Sequence, residues 1–167
     1  MRIPIKKAQA EIEIKKSRFI SIACYVESAD QAKTEIKAAW EQHPQASHIV
    51  YAYQIGKTGD LFGLSDDGEP HGTARRPVLE VVKVSGTTNF LVRVVRYFGG
   101  TNLGTGGLVK AYTNSAQEVL AVLPTEELIA KNSFKVQLPY SIYEPARTLL
   151  ETHSAHIENE EFATEVV

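Results

Sequence analysis

From residue 98 to 111 the chain reads FGGTNLGTGGLVKA, with glycine at 99, 100, 104, 106 and 107. Those are five of the protein's eleven glycines. Arg96 stands just before the run and Lys110 just after it. Backbone N–H groups freed at a helix start point outward, and the helix dipole favours negative charge there. Glycine lets a phosphate come close to that backbone, and the two cations could add charge-assisted bonds. The chemistry on offer is anion binding. The dinucleotide fingerprint GxGxxG fails, because Val109 stands where its last glycine belongs, and no Lys-Ser or Lys-Thr pair completes a P-loop. Tight strand-to-helix packing would use the same glycines.

A second stretch, SDDGEPHGTARRP, crowds Asp66, Asp67 and Glu69 into one loop. Three carboxylates could hold a divalent cation or supply a general base. The spacing is not that of a calcium loop, and Asp67-Gly68 is equally a turn dipeptide. Arg75 and Arg76 follow closely and could pair with the loop's own charges. The five histidines (43, 48, 71, 153, 156) show no metal spacing. Cys24 lies in an apolar strand and reads as core filling. There is no GxSxG elbow and no HExxH. No catalytic residue, metal ligand or cofactor is therefore assigned.

Charge sets the glycine run apart. Residues 71–112 carry six basic residues against one acid, Glu80, while residues 113–167 carry three basic and nine acidic ones. The whole chain has a formal net charge of -2, so it is not an overall polyanion binder. Hydrophobic content of 43% suits a packed domain rather than disorder. No apolar run is long enough to span a membrane. A charged N-terminus and a single cysteine point to a reducing, cytoplasmic setting.

These residues need elements to position them. AEIEIK (10–15) alternates as a half-buried strand, KKS turns the chain, and RFISIACYV (18–26) returns. Ser28 and Gln31 have capping-box spacing, opening a helix that His43-Pro44 ends. SHIVYAYQI (47–55) reads as a strand. Residues 56–77 read as one long loop, and 78–84 as strand or short helix. NFLVRVVRYF (89–98) reads as a buried central strand, on which a spacing of three sends Arg93 and Arg96 to opposite faces. A helical stripe covers 108–123. Beyond Pro124 a strand at 134–138, a helix capped at Ser141 and a strand at HIENEEF are expected. A strand-helix-strand unit of that size buries little apolar surface, which suggests a fragment with a second domain cut short.

SDDGEPHGTARRPVLEV and VVRYFGGTNLGTGGLVKAY, with SRFI (17–20) and HIVYAY (48–53), resemble the IMPACT/YigZ family, also called the Impact N-terminal family. The resemblance covers most of residues 10–123. Arg75 stands where the family has glycine, and Thr113-Asn114 replaces a glycine after the tyrosine. The resemblance implies an α+β fold: a two-layer α/β sandwich over residues 1–125, similar to domain IV of elongation factor G and to a ribosomal-protein domain. Residues 126–167 would be the first half of a ferredoxin-like domain. The eukaryotic namesake is a translation regulator that acts through protein contacts.

The function expected is a non-enzymatic binding protein linked to translation regulation. Arg75, Arg76, Arg96 and Lys110, with Gly99, Gly100, Gly104, Gly106 and Gly107, would contact the phosphates of RNA or the ribosome. One alternative is an enzyme acting on a phosphorylated small molecule, with Asp66, Asp67 or Glu69 as metal ligand or general base. Another is a module that binds a translation-related protein.

Overall fold

In the computed structural model, which describes residues 1–130 and 132–162, the chain divides into two units, Met1–Ile129 and Ala130–Val167. The first begins with a short strand, Arg2–Pro4 (β1). Ala8–Ile14 (β2) and Ser17–Tyr25 (β3) then form the expected hairpin. Its two-residue turn holds Lys15 and Lys16 at φ 48 and 65, the left-handed geometry that suits the twist of a hairpin. Ser28 caps the helix Ala29–Gln42 (α1), its Oγ accepting the Gln31 N–H at 3.1 Å. Gln31 Oε1 in turn accepts the Glu27 N–H at 2.8 Å. The helix ends at His43, before Pro44, as expected.

His48–Ile55 (β4) follows, and then Leu61–Ser65 (β5). β5 lies inside the stretch expected to be one long loop. Its alternation is obscured by Gly63, whose missing side chain leaves room for the Tyr53 ring on the neighbouring strand. Arg75–Val84 (α2) is a helix, which settles the open choice over 78–84. Phe90–Tyr97 (β6) is the buried central strand. Gly104–Ala121 (α3) starts four residues earlier than the apolar stripe alone indicates. Thr125–Glu127 (β7) pairs with β1.

The main sheet runs β2-β3-β6-β4-β5, antiparallel throughout. Even-numbered residues of β6 face α2 and α3: Val92 and Val94 pack with Val78, Val82, Leu108, Tyr112 and Ala116 in the main core. Odd-numbered ones face α1, where Val95 packs with Ile49 and Ala39. The α+β class holds, and α1 adds a partial third layer to the expected two.

In the second unit, Tyr143–Thr152 (α4) is the expected helix. It is not capped by Ser141, which lies in a single 3-10 turn, Tyr140–Ile142, ahead of it. The strands expected at 134–138 and in HIENEEF do not form among the described residues. Neither has a hydrogen-bonding strand beside it there, and an unpaired strand leaves its backbone groups unsatisfied.

Candidate anion-binding surface

α2 and α3 lie side by side on the sheet. A groove of about 450 Å³ runs between them, walled by Arg76, Pro77 and Glu80 on one side and Val109 and Thr113 on the other. Farther along, Val84 and Ser85 stand against Gln117 and Leu120. Residue numbers rise together on the two walls, so the helices run parallel. Their N-termini lie at one end of the groove, and their dipoles point the same way.

The two N-termini are finished differently. At α2 the carboxylate of Asp66 fills the positive end. Its Oδ1 accepts the Arg75 N–H at 2.7 Å and the Ala74 N–H at 3.3 Å, and its Oδ2 accepts the Gly72 N–H at 3.1 Å. Arg75 also reaches back to that carboxylate, with Nε 3.1 Å from Oδ2. At α3 the N-cap Leu103 offers no acceptor, no acid stands in the first turn, and among the described residues no side chain accepts from that turn. Gly104, Thr105 and Gly106 are exposed. A Cβ at Gly100, Gly104 or Gly106 would meet nothing within 4 Å. The first turn of α3 is therefore exposed, with open space where a side chain would stand.

The five glycines serve different ends. Gly104, at φ 73, takes the left-handed conformation that starts the helix. Gly99 is fixed by packing: a Cβ there would sit inside the Lys16–Ser17 peptide, and its N–H donates to Ser17 Oγ at 3.1 Å. Gly107 packs against Leu103. Gly100, at φ 81, shares the left-handed conformation, and Gly106 is held by neither conformation nor space.

The basic block divides as well. Arg76 and Lys110 are exposed and enter no ion pair among the described residues. Arg75 is offset by Asp66. Lys83 lies over the Phe62 ring, Nζ 4.7 Å from its centroid, towards the far end of α2. Arg93 and Arg96 do fall on opposite faces of β6, and both are buried, at 1% and 6% exposure. Arg96 is thus withdrawn from the surface expected of it. A guanidinium inside an apolar strand needs a buried counter-charge, and Glu69 supplies one. Arg96 Nη1 lies 2.6 Å from Glu69 Oε1, and the Tyr112 hydroxyl donates to the same oxygen at 2.7 Å. Burial, reinforced by that carboxylate, pushes the Tyr112 phenol far above its ordinary pKa. On the other face Arg93 Nη2 pairs with Glu35 at 2.9 Å, and burial raises the neighbouring Cys24 thiol to about 11.

Every carboxylate of the acidic loop is therefore engaged. Asp66 caps α2 and Glu69 neutralises Arg96. Asp67 Oδ2 accepts the Ile49 N–H at 2.6 Å, and its carbonyl accepts from His48 Nδ1 at 2.7 Å. Among the described residues no group of three His, Cys, Asp or Glu is arranged to hold a metal ion, and no helix is long and apolar enough to cross a membrane. The Glu69–Arg96–Tyr112 cluster was not foreseen. Its signal was a pair of arginines in an apolar strand, but the sequence does not name their partners.

The model of the Impact N-terminal domain matches residues 15–120. An IMPACT family member of Haemophilus influenzae is 36% identical over 166 residues, covering 98% of this chain and 81% of that protein. IMPACT family member YigZ of Escherichia coli is 39% identical over 140 residues, 83% of this chain and 69% of that one. A crystal structure described as that of a hypothetical protein aligns with a TM-score of 0.75 at 34% identity, over 97% of this chain and 80% of the other.

Proposed function

The chain belongs to the IMPACT family, and from that premise we propose that it is a non-enzymatic binding module for the phosphates of RNA or the ribosome, in a role linked to translation regulation. The observation that supports the reading is the contrast between two parallel helix starts. Asp66 completes α2 from within the chain, and the first turn of α3 is left open. A phosphate oxygen at α3 would do what Asp66 does at α2. Arg76 and Lys110 stand at the same end and supply positioning charge. The enzymatic alternative would have to draw on Asp66, Asp67 or Glu69, and each of these already makes bonds that hold the fold together.

Filter binding of a single-stranded RNA tests the proposal. The expected affinity is weak, on the order of micromolar at low salt. With two cations engaged, log K should fall against log salt with a slope of about -1.4. The double variant Arg76→Glu/Lys110→Glu should lose at least about tenfold in affinity while keeping its thermal midpoint, because both side chains are exposed. No RNA retained at low salt, or a double variant that binds as well as the parent, overturns the reading.

A further inference from the structure

Two strands form the edges of the main sheet, and they are treated differently. β2 carries exposed Glu11 and Glu13 along its length. Charges of that kind blunt an edge against pairing with another chain. β5, LFGLS, has no charge and no proline, and among the described residues it pairs only with β4. Leu61 is 51% and Phe62 48% exposed. Lys83 covers Phe62 from the helix side, and the outer edge of β5 has no neighbouring strand among the described residues. We propose that this edge is a contact between two copies of the chain, which join antiparallel through β5 to make one continuous ten-stranded sheet.

The sequence of β5 is self-complementary in that arrangement. A two-fold axis at Gly63 pairs Phe62 with Leu64 on one face and Leu61 with Ser65 on the other. No like charges meet within the strand. One residue beyond it, Asp60 of each copy comes to the place where Asp66 of the other turns back towards α2, beside Arg75. Arg75 Nε already contacts Asp66, and its side chain remains about a third exposed, so it offers Asp60 a counter-charge. Gly63 itself adds no bulk at the axis. Five paired residues and three apolar side chains from each copy make a small interface, below the ~1,200 Å² of a standard complex. The dimer is therefore concentration-dependent.

Sedimentation equilibrium of the full chain, without nucleic acid, reads the state directly. Between about 10 μM and 1 mM, a range suited to so small an interface, the average mass should rise from 18.4 kDa towards twice that value. Amide exchange at Leu61–Ser65 should slow over the same range. Phe62→Lys should remain monomeric, and Val84→Lys, at a more exposed apolar site on α2, should associate like the parent. A monomer at the highest concentration, or undiminished association by Phe62→Lys, overturns the proposal. So does protection of β5 only when an extended peptide is added, since the edge would then serve a different occupant. Loss of RNA binding would leave this result untouched, because the assay contains none.

Discussion

Glu69 is 2% exposed at its side chain and balances a guanidinium and a phenol at once. Removing it leaves Arg96 buried without a counter-charge, which costs far more than the pair's net contribution. Glu69→Ala should therefore lose about 3–5 kcal/mol in denaturant unfolding. Glu69→Leu/Arg96→Met should recover much of that loss, because it removes both charges together. An additive double variant would mean that the two side chains are not coupled. At this scale the sequence was half legible. A spacing of three put Arg93 and Arg96 on opposite faces of β6, and that is where they lie. Their partners, Glu35 and Glu69, are 58 and 27 residues away, a separation across which no local pattern operates.

Elements were more legible where their periodicity was clean. The β2–β3 hairpin, α1 and β6 follow from alternation, capping and apolar runs. β5 was missed because a glycine interrupts its alternation. β1 and β7 were missed because three residues are too few to show a period. The start of α3 was misplaced because its first turn is glycine and threonine, poor helix formers that carry no apolar stripe. The glycine run from 99 to 107 holds two kinds of glycine, and substitution should tell them apart. Gly99→Ala drives a methyl into the Lys16–Ser17 peptide and should cost about 2 kcal/mol or more. Gly106→Ala meets open space in a helix and should stabilise by about 0.5–1 kcal/mol. Chemical denaturation of the two variants checks the order.

For the molecule as a whole, two groups bound the pH range of greatest stability. Burial, with Arg93 nearby, holds His43 below its ordinary pKa of 6.5. The unfolded chain therefore takes up that proton first, and the stabilisation is lost as pH falls below about 6.5. Burial raises Cys24 from 9.0 to about 11, so the unfolded chain gives up its proton first, and stability declines as pH rises from about 9. Melting curves from pH 5.5 to 10.5 should show both flanks, with the acid flank flattened in His43→Asn and the alkaline one in Cys24→Ala. Only the residue types behind these shifts could be read from the sequence; the burial that causes them belongs to the assembled fold. The pairing of β1 with β7 sets Arg2 against Glu127 and Pro4 against Thr125, so the first unit enters and leaves its fold at one seam. Such a unit can be spliced into a host chain without prying the host's own ends apart. Closing the seam with a short linker and opening the Gly56–Asp60 turn instead should yield a circular permutant that still folds.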